Sequence, residues 1–162
     1  MIKLRRGVAG AMTALAIAGL CAIAPATAAN AATGATGKGC TAYQYSSGGY
    51  STCVGYIQRM LNGIAATRGG SYGGYQLAVD NSFGANTNTN VRRFQSYTGL
   101  VSDGIVGRNS WNQLCRYAGT RSFAVYNASA LQKSAWQAAY DAGCYVDKPV
   151  GSGAGIQVIS RY

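Results

Sequence analysis

Apolar residues recur with helical spacing along the middle of the chain. Val54, Ile57, Leu61 and Ile64 stand at offsets of 3, 4 and 3, one face of a helix that begins near Cys53. Asn62-Gly63 predicts its end or last turn. Residues 63–76 then form a Gly/Tyr loop, too rich in glycine for regular structure. Thr87, Val91, Phe94 and Thr98 line a second helix, closed by Gly99. Trp111, Leu114, Cys115 and Ala118 line a third, closed by Gly119. Beyond it the periodicity changes. Ser122–Tyr126 alternates weakly and predicts a short strand. Asn127 can cap a helix running to Ala142, with Gly143 as its terminator. Leu131, Ala135, Ala138 and Ala142 form its apolar face, and Trp136 and Tyr140 sit four apart on the other side. Ile156–Ser160 predicts a final strand able to pair with 122–126.

The second and third helices are introduced by an internal repeat. Leu77, Asp80, Phe83, Gly84 and Thr87 occupy the same offsets as Leu100, Asp103, Val106, Gly107 and Ser110, which follow 23 residues later. Each copy reads as a tight turn leading into a helix. Asp80 and Asp103 can accept hydrogen bonds from the following backbone N–H groups, Asn81 and Gly104 tolerate positive φ, and Gly84 and Gly107 allow a second bend. Short connections then give a compact three-helix unit. The fold class expected is mainly α, with a small C-terminal helix and β-hairpin extension.

Composition changes the picture at the N-terminus. Lys3, Arg5 and Arg6 precede an uncharged apolar run over 7–24. Pro25 breaks the run, and Ala26-Thr27-Ala28 and Ala29-Asn30-Ala31 both have the form of an export cleavage site. Residues 1–31 are therefore expected to be a secretory signal peptide, followed by an extended segment over 32–52, the three-helix domain over 53–118 and the extension over 119–162. Cleavage removes three of the 14 basic residues and none of the 4 acidic ones, so the mature chain stays strongly basic. It keeps Cys40, Cys53, Cys115 and Cys144, an even number that implies two disulfides outside the cell. If the first and third helices run antiparallel, Cys53 meets Cys115 and leaves Cys40 to Cys144. The main rival pairs Cys40 with Cys53 and Cys115 with Cys144.

The residue inventory excludes most hydrolytic chemistry. The chain has no His, so it has no imidazole base and no His-liganded zinc. All four acids are Asp, and two of them are explained by the turns. A glycosidase needs two carboxylates at a set separation. No C-x-x-C spacing suggests a metal, and no cofactor is implied. The positive charges are scattered except at Arg92-Arg93, which argues against a nucleic-acid partner. Attraction to an anionic extracellular polymer and a merely solvated surface both fit the charge.

The stretch Cys53–Cys115 resembles the three-helix peptidoglycan-binding domain family. The residues that carry the resemblance are Val54-Gly55-Tyr56-Ile57-Gln58-Arg59-Met60-Leu61-Asn62, Asp80-Asn81-Ser82-Phe83-Gly84-Ala85-Asn86-Thr87, Val91-Arg92-Arg93-Phe94-Gln95 and Asp103-Gly104-Ile105-Val106-Gly107-Arg108-Asn109-Ser110-Trp111-Asn112-Gln113-Leu114. Asn81 replaces the family's Gly, Ser110 replaces Thr, and the Gly/Tyr loop is long. The resemblance implies a noncatalytic module that binds peptidoglycan in the wall, with no membrane contact once the signal is cleaved, and a monomer is expected. Tyr72, Tyr75, Arg92 and Arg93 are the candidate ligand-binding residues: tyrosine offers a flat apolar face with a hydroxyl, and arginine can bind carboxylates or phosphates in a bidentate way. Asp80, Gly84, Asp103 and Gly107 are expected to shape the turns, Phe94, Trp111, Leu61 and Val91 to fill the core, and Gln58 and Gln95 to bond backbone around the turns. The alternative is a secreted protein-interaction module or inhibitor on the same fold, with Tyr72, Tyr75, Trp136 and Tyr140 as its contact patch.

Overall fold

A computed structural model describes residues 34–68, 75–151 and 155–162. The signal-peptide segment and Tyr72 lie outside the described residues. Among the described residues, five α-helices and one hairpin follow in order: α1 (Thr52–Thr67), α2 (Ala85–Tyr97), α3 (Arg108–Ala118), α4 (Arg121–Ala124), α5 (Ala130–Ala142), β1 (Val146–Pro149) and β2 (Ile156–Ile159). The protein is mainly α, as its periodicity predicts. Among the described residues, no helix is long and apolar enough to cross a membrane.

α1 is the central element. Ser51 caps it, its hydroxyl accepting from the Val54 N–H. The predicted face of Val54, Ile57, Leu61 and Ile64 is buried, and so are Gln58, Met60 and Ala65. The burial is this wide because α2 and α3 contact α1 and α5 packs against it more extensively still. The helix does not stop at Asn62-Gly63. Asn62 instead ties down the returning chain, its side chain donating to the Leu77 carbonyl (2.8 Å) and accepting from the Leu77 N–H (2.7 Å). Gly63 lies where α5 crosses. A Cβ there would stand 2.8 Å from the Leu131 carbonyl oxygen and collide with the Ala135 methyl. Both residues serve packing, so the local stop signal is overridden.

α5 meets α1 through a row of alanines. Ala135, Ala138, Ala139 and Ala142 are buried, and their small size permits the close approach at Gly63. The cap is Ser129, not Asn127: Ser129 and Gln132 form a reciprocal capping box. Gly143 ends the helix in the left-handed conformation at φ 100°. Trp136 stacks on Tyr140 at 6.2 Å between ring centroids, and its indole N–H donates to the Asp147 carbonyl (2.9 Å). This aromatic face is thus half-covered by β1.

The segment expected as a strand at 122–126 is helical. Arg121–Ala124 makes one turn that buries Phe123, while Tyr126 is 97% exposed. The Asp147 carboxylate accepts from the Arg121 N–H (3.1 Å). The final strand forms, over Ile156–Ile159, but its antiparallel partner is Val146–Pro149, with Val146 opposite Ile159. A nearer partner wins because closing the shorter loop costs less chain entropy.

The expected cysteine pairing is also corrected. The disulfides are Cys40–Cys53 and Cys115–Cys144, not Cys53–Cys115 and Cys40–Cys144. A 3-10 turn over Gly39–Ala42 doubles the N-terminal segment back, placing Cys40 5.6 Å from Cys53 between Cα atoms. Gly143 reverses the chain at the end of α5 and delivers Cys144 to Cys115, 5.3 Å apart. Each sulfur finds a partner brought to it by a local turn, and the alignment of helix ends does not decide the pairing.

The core is one cluster. It joins α1, α2 and α3 to Phe123, the α5 alanines, Cys144 and Val146, so it runs across the boundary expected at 118. The extended N-terminal segment belongs to the same body. Tyr45 bridges Val106 and Tyr50 bridges Ser82, one at each repeated turn.

Candidate functional site

The repeat builds two equivalent turns around a buried glutamine. In the first, the Gln58 amide nitrogen donates to the Asp80 carboxylate (2.7 Å), the Ser82 carbonyl (3.0 Å) and the Thr87 hydroxyl (3.1 Å), and its oxygen accepts from the N–H groups of Asp80 and Asn81. In the second, the Gln95 nitrogen donates to the Asp103 carboxylate (2.7 Å), the Ile105 carbonyl (2.9 Å) and the Ser110 hydroxyl (3.1 Å), and its oxygen accepts from the Gly104 N–H. Asn81 at φ 63° matches Gly104 at φ 75°, so the substitution of Asn for Gly is absorbed by asparagine's tolerance of that region. Gly84 and Gly107 precede α2 and α3 with ordinary negative φ. They act as helix entries and use no left-handed bend.

The aspartates are acceptors within these turns. The hydrogen bond from Gln58, then that from the Ser82 N–H, holds the Asp80 carboxyl below the usual range. The Ile105 N–H, then Gln95, does the same for Asp103. A carboxylate that accepts such bonds favours its charged form. The other two acids are also engaged: Asp141 pairs with Arg161 at 2.8 Å, and Asp147 accepts from Arg121.

Of the candidate ligand-binding residues, the structure brings Tyr75 and Arg93 together. The Arg93 guanidinium carbon sits 3.5 Å from the centre of the Tyr75 ring. Arg92 turns the other way. It donates to the Asn88 side chain (2.9 Å) and to the Ser102 carbonyl, where it braces the second turn. Arg68, Tyr97 and Tyr117 stand outside the motifs of the sequence. Arg68, just past α1, lies 5.7 Å from the Tyr97 ring and 5.2 Å from the Tyr117 ring, and the two rings are 5.9 Å apart. Tyr97 is four residues after Arg93 on α2, so the two contacts share one helix face. That spacing was the available signal; the contributions of Arg68 and Tyr117 arise only from packing.

A second surface lies at the start of α3. Two adjoining grooves, of 530 and 480 Å3, share Gln44 and Arg108. One is bordered by Tyr43 and Asn112, the other by Val101 and Ile105. The N-terminal segment creates both by laying Gln44 over Gly107.

These turns and helices coincide with a known domain. Residues 54–114 match a family described as a putative peptidoglycan binding domain, and this stretch carries its fold. Among curated proteins, the zinc D-Ala-D-Ala carboxypeptidase of Streptomyces albus G is 36% identical over 104 residues. That alignment covers 62% of this chain and 38% of the relative, so the chain spans well under half of that enzyme's length. Among solved structures, a peptidoglycan-binding protein from Clostridioides difficile, in complex with glutamine hydroxamate, is 33% identical. It covers 47% of this chain and 42% of its own, with a TM-score of 0.39.

Proposed function

We propose that this protein is a secreted, noncatalytic binder of peptidoglycan. The observation that carries the reading is the match over 54–114 to the peptidoglycan-binding family, in a segment whose two glutamine-centred turns are both complete. The noncatalytic part rests on the inventory of groups. The sequence holds no His and no Glu. Its four aspartates are taken up by two turns, one ion pair and one helix start. Its four described cysteines are paired. Two disulfides and an apolar leader with export-type cleavage sites support a place outside the membrane, in or near the wall. Tyr75 and Arg93 are the ligand-contacting pair in this reading, and Tyr72 and Arg92 are its further candidates.

The test is cosedimentation. Oxidised residues 32–162 are spun with insoluble peptidoglycan stripped of anionic polymers, beside chitin and cellulose. Selective pelleting with peptidoglycan that persists in high salt is the expected result. Absence of pelleting by a folded sample overturns the reading and points to a protein partner.

A further inference from the structure

Arg68 and Arg93 are matched to tyrosine rings and not to acceptors. Among the described residues, neither guanidinium donates a hydrogen bond, and their contacts are with Tyr97, Tyr117 and Tyr75. Arg92, the immediate neighbour of Arg93, donates through Nε to Asn88 and through Nη1 to the Ser102 carbonyl. Adjacent arginines in one helix therefore have different tasks. At 3.5 Å from the ring centre, the Arg93 guanidinium is in van der Waals contact with Tyr75. Only a face-to-face stack allows that distance, so its N–H donors lie around the edge of the stack, away from the ring. Arg68 is seated against two rings.

On this face the arrangement favours one kind of wall ligand. A sugar needs a bare aromatic face on which to stack. Here one face of Tyr75 is already covered by a cation, and Tyr97 and Tyr117 share another. The Arg93–Tyr75 pair presents a fork of N–H donors, held flat by the ring behind it, and Arg68 presents a second guanidinium set 5.7 and 5.2 Å from two rings. Such a fork fits a planar oxyanion in a bidentate way, and the ring beneath reduces the side-chain entropy lost on binding. Tyr75 and Tyr97 remain 46% and 40% exposed, so both clusters are reachable from solvent. Peptidoglycan offers its planar oxyanions as carboxylates on the peptide stems.

We propose that Arg68 and Arg93, each backed by tyrosine, bind stem-peptide carboxylates, so that the protein recognises the peptide portion of the wall and not its glycan. The inference rests on the peptidoglycan-binding reading and specifies the element bound. The face runs from the end of α1 across α2 to Tyr117 of α3.

The test uses the full mature chain and three sacculus preparations stripped of anionic polymers (untreated, with stem carboxylates converted to amides, and with stems removed to leave glycan), beside walls that retain their phosphodiester polymers. Wild type is expected to bind untreated sacculi and to lose at least about tenfold in affinity on the other two. Arg68→Gln and Arg93→Gln are expected to weaken binding to untreated sacculi several-fold each, and to leave the residual binding to amidated sacculi unchanged. Arg93→Lys keeps the charge but not the fork, and should recover only part of the loss. Arg68 is exposed and Arg93 half-buried, and unchanged thermal melts show that the variants fold. Equal binding to amidated and untreated sacculi overturns this inference and leaves the peptidoglycan reading standing. Wild-type affinity in both glutamine variants overturns it as well. Binding only to walls that retain phosphodiester polymers overturns it in favour of a phosphate ligand. No binding to any sacculus removes the peptidoglycan reading itself, and the inference with it.

Discussion

Gln58 and Gln95 are the residues on which the repeated turns depend. Each satisfies a carboxylate, a carbonyl, a hydroxyl and backbone N–H from one buried amide. Removing such a side chain leaves the buried Thr87 or Ser110 hydroxyl and part-buried backbone groups of the turn without that bond, while the exposed aspartate can turn to water. Gln95→Ala is expected to cost on the order of 2–4 kcal/mol, measured by denaturant unfolding of the oxidised protein. The aspartates give a pH signature. Their folded pKa values lie below the unfolded ones, so the unfolded chain binds more protons in the acid range. Their contribution is fully present above about pH 5 and is lost as pH falls through the depressed folded values, below about pH 4. The melting temperature should therefore be flat near neutrality and fall in acid, and Asp103→Asn should show a shallower acid decline than wild type. The roles of Asp80, Asp103, Gln58 and Gln95 were readable beforehand because a turn is a local structure, and its residues stand at fixed offsets in both copies.

The helices were legible as elements, while their ends and partners were less so. The spacing of Val54, Ile57, Leu61 and Ile64 marks α1, but Asn62-Gly63 reads locally as a stop. In the folded molecule Gly63 is the contact point with α5. Gly63→Ala should thus destabilise the protein by about 1–3 kcal/mol, although alanine is the better helix former. A thermal or denaturant melt checks it, and a stabilised variant would mean that α5 does not pack there. The strand expected at 122–126 fails for a related reason. Five weakly alternating residues fit a strand or a helical turn about equally well, and burial of Phe123 together with the bond from Arg121 to Asp147 settles the choice.

At the level of the whole molecule, the chain between Gly34 and Tyr162 encloses one core. α5 packs along α1, and the N-terminal segment bridges both turns. The family match ends at 114, yet Trp111, Leu114 and Cys115 share their burial with the α5 alanines and Val146. A chain ending at Ala118 would expose Gly63 and much of α1, and would leave Cys115 without its partner. It is expected to lose the cooperative thermal transition of the longer protein, followed by circular dichroism. A truncated chain that melts as sharply as the parent would show that the three-helix unit is independent. The same assembly produces the tyrosine-backed arginine face, since Arg68, Arg93 and Tyr117 come from three different helices or their ends.

The sequence by itself determined whatever is encoded at short range. Helix faces follow from the 3.6-residue period, the paired turns from residues at fixed offsets, and the resemblance over Cys53–Cys115 from those same motifs. Only the tertiary structure decided which cysteines pair, where α1 ends, which strand answers β2 and which of the two adjacent arginines stacks on a tyrosine. Each of those outcomes depends on which elements come together in the folded chain, not on the spacing within one element. Each is set by loop closure and packing, which no local spacing records.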